Sequence, residues 1–403
     1  MLTRVLTENA SIEDAIEGAF AEGVDPSVRA WLLEVCSGTL RWKGRLDLAI
    51  DSIALKKKPT GWLRKVLLIA AYQLIAQERT SPKSVVIETV DEVRKREGEA
   101  PAKFANAVLR KLADHAAEWC EILPESPQAA SLPDWIFDRV KRQQGKEWVQ
   151  AFARAALERP KTWIRKKDAA WSPEWIEAPA GAEQLPATAA LAREGGAIPA
   201  KAGFAEGEFI VQDISSQVLV DRVNRLAREK LGSGALRALD LCAAPGGKSV
   251  GLAWSGFEVT ATDQSEARRK LLAQTVERVG AQIKLIAYDE VAQQGLFDLV
   301  WVDAPCTGSG IIRRHPEVRW VKGEKELQSL LKIQRELLQR AWERVRPGGI
   351  LVYTVCSVLE EEGRLGLQEA ALSGASQPQE GWLLAPHLPP GGDGFFGAFL
   401  VKS

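Results

Sequence analysis

A multidomain chain, an all-α bundle followed by an α/β domain on a parallel sheet, is predicted by three observations. Apolar residues of the first 120 positions recur at helical spacing, and from Glu208 onward strand-like and helix-like segments alternate. The length, 403 residues, gives room for two to three domains at about 100–200 residues each. A hydrophobic content of 46% with 26% charged residues excludes bulk disorder. The 53 basic and 53 acidic residues cancel, which excludes a polyanion-coating tail but is silent about a local basic face.

In the first region Ile12, Ala15, Ile16 and Phe20 share a helix face, followed by helical segments over 30–40, 46–53 and 63–75. Breakers at Asp25-Pro26, Lys58-Pro59-Thr60-Gly61 and Ser81-Pro82 separate them. Ser81 reads as an N-cap with proline at the first helical position, opening a helix over 83–97. A last helix over 102–119 carries Phe104, Val108, Leu109 and Leu112 on one face, and the Pro-rich run 123–127 closes a domain spanning 1–124.

Residues 135–167 continue as helix with dense positive charge: Arg139, Lys141, Arg142, Lys146, Arg154, Arg159, Lys161, Arg165, Lys166 and Lys167. Trp148, Phe152 and Trp163 are interleaved, the composition of a single-stranded nucleic-acid platform, against the alternative of a solvated face over core aromatics. Residues 177–207 read as short irregular elements, so 125–205 is a basic linking region. In the third region, 206–403, strand candidates are 236–241, 258–262, 283–286, 299–302 and 350–355, with helices over 266–279 and 324–345 between them. That alternation implies a parallel sheet covered on both faces, with ligands beyond the carboxyl ends of its strands.

Five scattered cysteines with no C-x-x-C pair, and three histidines without ligand spacing, point to a reducing cytoplasm and no metal. The longest apolar stretch, 66–76, falls short of the ~20 residues that span a bilayer, and the N-terminus reads as neither signal peptide nor anchor.

The polar residues cluster at the strand ends. The first reads Cys242-Ala243-Ala244-Pro245-Gly246-Gly247-Lys248, whose paired glycines let a ligand approach the backbone at a helix start. Its spacing is not that of a P-loop. Asp263, roughly 20 residues on, stands where such folds place a carboxylate on ribose hydroxyls; capping the next helix is its alternative role. Asp289 follows the third strand, and Asp303 ends the fourth in Asp303-Ala304-Pro305-Cys306. Between apolar residues Asp303 is expected to be partly desolvated and suited to sharing a proton with a substrate nitrogen. Cys306 and Cys356 end neighbouring strands, where a thiol can be partly exposed and ionised by the cations Arg313, Arg314, His315, Arg319 and Lys322. The same basic run reads as a contact to a substrate backbone. Spacing leaves open which cysteine is the nucleophile.

The blocks Asp303-Ala304-Pro305-Cys306-Thr307-Gly308-Ser309-Gly310, Arg313-Arg314-His315-Pro316 and Thr354-Val355-Cys356-Ser357, with 239–248, resemble the NOL1/NOP2/Sun family of RNA 5-methylcytosine methyltransferases. Residues 209–217 and Asp393-Gly394-Phe395-Phe396 are similar to further blocks of it, and residues 63–74 with 104–110 resemble a NusB-like RNA-binding domain. The resemblance implies a Rossmann-like class I methyltransferase using S-adenosyl-L-methionine. It further implies a pocket from Cys242 to Lys248 with Asp263, Asp289 and Asp303, Cys356 as nucleophile and Cys306 assisting release. The third-strand region, Tyr288-Asp289-Glu290, lacks the glycine often found beside the acid, and Glu290 is the alternative to Asp289. The pairing of domains implies 16S ribosomal RNA or an assembling small subunit as partner, with transfer RNA or another RNA as alternatives. A non-catalytic RNA-binding factor is disfavoured by the intact Cys306, Cys356, Gly246, Gly247 and Asp303.

Overall fold

The computed structural model describes residues 1–403 except 9, 21–22, 78–79, 194–195 and 376–380. Two compact units share the chain: Met1–Arg159 with Ile312–Gly323, and Pro160–Ile311 with Glu324–Ser403. Positions 124 and 205 lie inside the first and the second unit respectively.

The first unit runs through α1 (Leu2–Glu8), α2 (Ile12–Glu17), α3 (Pro26–Ile53), α4 (Gly61–Ile75), α5 (Pro82–Glu97), α6 (Glu99–Asp114), α7 (Ala116–Glu121), α8 (Asp134–Gln144) and α9 (Lys146–Leu157). The segments expected at 30–40 and 46–53 form one helix, because nothing between them breaks it. Asp25 caps its start by accepting from Ser27 N at 2.8 Å. Gly44 in its middle lets the loop at Ser131 approach; a Cβ there would lie 2.9 Å from Ser131 Cα. Ser81 caps α5 as expected, whereas the helix expected over 102–119 breaks at His115. Leu46, Ile50, Leu67 and Leu109 are fully buried in the core, each side chain contributing roughly 1.5–3 kcal/mol.

The basic stretch departs from the expected single helix. Residues 135–157 form α8 and α9, but Trp163–Lys166 is a strand, β1, of the second unit. Phe152 and Trp163 are core residues, Arg165 is buried against Asp221 at 3.1 Å, and Lys166 is buried as well. A continuous aromatic platform over 135–167 is therefore not formed.

β1 (Trp163–Lys166), β2 (Ile176–Glu177), β3 (Ala189–Ala192) and β4 (Phe209–Val211) make a small antiparallel sheet in the order β2-β3-β1-β4. The chain continues through α10 (Ile214–Leu231), β5 (Leu236–Asp240), α11 (Gly247–Trp254), β6 (Phe257–Ala261), α12 (Glu266–Val279), β7 (Ile283–Leu285) and β8 (Phe297–Asp303). It then passes through α13 (Val318–Val321), which belongs to the first unit. It returns to the second unit at α14 (Glu324–Arg344), β9 (Val345–Val355), α15 (Arg364–Glu369), β10 (Gly381–Leu384) and β11 (Phe395–Val401).

The second sheet has the order β10-β11-β9-β8-β5-β6-β7. Its five parallel strands are those expected; the antiparallel pair β10 and β11 at one edge is an addition. Two core clusters cover its faces, one with α14 and one with α10 and α12. The order reverses between β5 and β8, so a crevice opens beyond their carboxyl ends, as doubly wound sheets require. Register sets Asp240 opposite Ala261 and Trp301, and Asp303 opposite Thr354, bringing the polar strand ends into one row.

Candidate active site

The turn after β5 enters α11 with Gly246 at φ 115° and ψ −6°, a left-handed conformation that favours glycine. A Cβ at Gly246 would lie 3.1 Å from Leu272 Cδ1, and one at Gly247 3.1 Å from Gln212 Nε2. The missing side chains thereby let α12 and Gln212 pack close against this turn. Asp240 supports it from below, accepting from Ser249 Oγ at 2.6 Å, while its Oδ1 is buried without a partner. Burial pushes its carboxyl up to about 7. Asp240 lay unassigned within the motif; an acid ending a core strand was the available signal.

Asp263 follows β6 and is nearly buried. Its Oδ1 accepts from Ser265 N at 3.2 Å, but the cap of α12 is Ser265 itself, which accepts from Arg268 N. Oδ2 lies 3.3 Å from Arg268 Nε and makes no hydrogen bond. Arg268 also donates to the Ala244 carbonyl at 2.7 Å, joining acid and glycine turn, a role that sequence reasoning missed. Cys242 sits among the acids, its thiol pushed well up by burial and then by Asp240, Asp263 and Asp303. Asp289 is exposed in the turn after β7, and Glu290 is engaged in capping that turn by accepting from Ala287 N at 3.0 Å.

Asp303 accepts from Lys248 Nζ at 2.6 Å on one oxygen and from Thr354 Oγ1 at 2.7 Å on the other, and Thr354 accepts from Trp301 Nε1 at 2.9 Å. The expected apolar setting is thus an ion pair backed by a hydrogen-bond chain. Burial disfavours the charge on Lys248, but Asp303 outweighs it, with Asp240 and Cys356 adding, and the ammonium is held above its ordinary value. Phe395 places its ring 5.1 Å from Lys248 Nζ.

The sulfurs of Cys306 and Cys356 lie 3.3 Å apart, although fifty positions separate them. Their loops are stitched together. Gly310 N donates to the Cys356 carbonyl at 3.0 Å, Ser309 and Ser357 share a 2.8 Å hydrogen bond, and Val358 N donates to Ser309 Oγ. Gly394 N donates to the Gly310 carbonyl at 2.8 Å, a crossing so close that a Cβ on Gly310 would lie 2.1 Å from Gly394 O. The blocks at 209–217 and 393–396 meet as well, Asp393 N donating to Asp213 Oδ1 at 2.9 Å.

Cys306, expected to be partly exposed, is buried. Its thiol is pushed well up, first by the hydrogen bond with Cys356, then by burial and the charges of Cys356 and Glu362. Within the first unit, fully buried Arg319 donates to the carbonyls of Arg41, Ser131, Ala156 and Ile312, so it is a scaffold residue. Arg313 is buried, its carbonyl accepting from Arg41 Nε at 2.9 Å. His315 is held above its ordinary value by a hydrogen bond with Glu317.

A glycine turn at a helix start and buried acids with unfilled oxygens fit a cofactor carrying hydroxyl donors and a positive sulfonium. With the doubly wound sheet, they define an S-adenosylmethionine-dependent methyltransferase. The family model of the 16S rRNA methyltransferase RsmB/F matches residues 233–377, and that of the NusB family matches residues 1–114. Ribosomal RNA small subunit methyltransferase B of Citrobacter koseri is 30% identical over 400 residues, 93% of this chain and 91% of that protein. The protein of the same name from Yersinia pseudotuberculosis is 30% identical over 432 residues, 100% of this chain and 96% of that one. The chain belongs to the RsmB/F methyltransferase family.

Solved structures agree on the fold. PH0851 matches with a TM-score of 0.71 at 23% identity, covering 97% of this chain and 94% of that one. NSun6 from Pyrococcus horikoshii matches with a TM-score of 0.56 at 18% identity, covering 67% and 98%. Among the described residues no helix is long and apolar enough to cross a membrane, and no group of three or more His, Cys, Asp or Glu is placed to hold a metal ion.

Proposed function

We propose that this methyltransferase modifies C5 of a cytosine in 16S ribosomal RNA through a covalent adduct between Cys356 and C6 of the base. The observation that carries the reading is the 3.3 Å approach of two sulfurs beside the Lys248–Asp303 pair. Cytosine C5 is too poor a nucleophile to accept a methyl group directly, so a thiolate must first add at C6. Cys356 forms that bond, and the ring electrons move toward C5. Asp303 hydrogen-bonds the ring near N3 through a proton shared with the Lys248 ammonium, and that proton steadies the negative charge that develops there. S-adenosylmethionine supplies an electrophilic methyl group on a sulfonium. Loss of the C5 proton to a base then returns the S–C6 electron pair to Cys356, and Cys306 assists this release.

Residues Cys242 to Lys248 with Asp263, Asp289 and Asp303 would hold the cofactor. The buried Asp240 oxygen without a hydrogen bond, and Asp263 Oδ2, which is held only by its ion pair with Arg268, support that assignment. The target base must leave its stack at a cost of a few kcal/mol, which favours an unpaired or loosened RNA segment. The NusB-like region within 1–124 and the exposed cations Lys141, Arg142 and Lys146 of 125–205 would contact RNA phosphates. Affinity should then fall steadily with rising salt.

RNA carrying 5-fluorocytosine tests the chemistry, because the fluorine cannot leave as the proton does and the adduct is trapped. Mass spectrometry should find the adduct in the wild type and in Cys306→Ala, and none in Cys356→Ala. An adduct that survives Cys356→Ala and is lost in Cys306→Ala overturns the assignment.

A further inference from the structure

Outside the roles assigned so far stands a fully buried acid, Glu362, on the turn that follows Cys356. We propose that Glu362 is a positioning residue that locks the loop carrying Cys306 and thereby decides which of the two sulfurs attacks. The proposal rests on Cys306 and Cys356 being the catalytic pair.

Three donors converge on its two carboxylate oxygens: Thr307 N at 2.7 Å, the Thr307 hydroxyl, and Gln334 Nε2 at 3.2 Å. That pattern is the one an ionised carboxylate accepts. Gln334 also donates to the Pro305 carbonyl at 2.9 Å, so the residues on both sides of Cys306 are held by one network. From β9, the Tyr353 hydroxyl donates to the carbonyl of Glu362 at 2.7 Å. All of these donors are neutral, and Glu362 has no ion pair among the described residues. Its negative charge stands uncancelled in a dry site.

Among the groups about Cys306, Tyr353 stands on β9 and Cys356 just beyond its end, Glu362 stands on the following turn, and α14 presents the neutral Gln334. The ammonium of Lys248 lies on Asp303 at 2.6 Å, and its charge is also favoured by Cys356. A negative charge on Cys306 is therefore opposed by Glu362, whereas one on Cys356 is favoured by Lys248. Cys306 keeps its proton and offers its S–H to the Cys356 sulfur, and Cys356 attacks.

The test needs neither RNA nor cofactor. The full-length protein is alkylated with iodoacetamide from mildly acid to alkaline pH, and both cysteines are followed by peptide mass spectrometry. In the wild type Cys356 should react first. Glu362→Gln should raise the Cys306-to-Cys356 ratio about tenfold at a given pH, the effect of about one pKa unit. An unchanged ratio in a variant with wild-type circular dichroism, or a faster Cys306 in the wild type, overturns the proposal. Should Glu362→Gln fail to fold, Cys356→Ser decides: there Cys306 should titrate above the ordinary thiol value of ~8.5, and titration at or below it overturns the proposal. A chain with the expected ratios that forms no 5-fluorocytosine adduct upholds the role of Glu362 and breaks the cytosine reading. The converse outcome breaks the former alone.

Discussion

In the helical unit, Arg319 is wholly enclosed and gives both terminal nitrogens to four carbonyls. Arg45 does the same, its three nitrogens donating to Ala129, Cys120 and Ile122. In the sheet unit Asp240 is about as buried, yet one of its oxygens has no partner, and Asp263 leaves an oxygen without a hydrogen bond. Burial alone does not separate these residues. Arg319 too keeps one unfilled atom, its Nε, so an unfilled atom alone does not mark a ligand site; the two acids differ in standing at the carboxyl ends of neighbouring parallel strands, where a doubly wound sheet takes its ligand. The desolvation cost shows on both sides: burial pushes Arg319 down to about 9 and Asp240 up to about 7.

Substitution at Arg319 should produce the largest effect. Arg319→Met leaves four carbonyls unpaired, and denaturant unfolding should show a loss of about 3–5 kcal/mol after partial rescue by water. A loss under about 1 kcal/mol would remove Arg319 from the scaffold class. Next comes Asp240→Asn, with an effect that depends on pH. Because the folded-state value lies above the ordinary 3.8, the charged form is disfavoured in the fold. The destabilisation is absent below the ordinary value, grows as pH rises between the two values, and is complete above about 7. Unfolding below about pH 4 should therefore find variant and wild type alike, while above neutrality the variant should be more stable by about 2–4 kcal/mol. A gap that does not widen with pH breaks the contrast between the units.

Smaller effects sharpen it. Gly246→Ala forces a side chain into a left-handed backbone, and thermal unfolding should report about 1–2 kcal/mol of loss, with S-adenosylmethionine binding weakened in calorimetric titration. Asp289→Ala should be the mildest, within about 0.5 kcal/mol in stability and under about tenfold in cofactor affinity. A larger loss of affinity would rank this exposed acid with Asp263.

Much of the sheet was legible because its strands are short apolar runs bounded by turns, and α12 begins and ends where the pattern places it. The edge pair β10 and β11 was missed, since the Gly-rich segment before Phe395 hides a strand whose partner is Val345–Val355. β1 was read as helix for a similar reason. Trp163–Lys166 has helical charge spacing, and only pairing with Leu191 and Val211, far along the chain, makes it a strand. The glycine turn and the two cysteines were legible at the candidate site. Arg268 and Glu362 were not, because acidic and basic residues on helices and turns are usually solvated.

The sequence by itself determined the succession of the five parallel strands, the glycine turn, and which residues end those strands, because these follow from local periodicity and backbone preference. The tertiary structure alone decided that two sulfurs fifty positions apart come within 3.3 Å. It also decided that Arg319 is enclosed as scaffold within the first unit, and that Lys248 is spent on Asp303. Charge and sulfur chemistry depend on distance and on what excludes water, and neither is a property of neighbours along the chain.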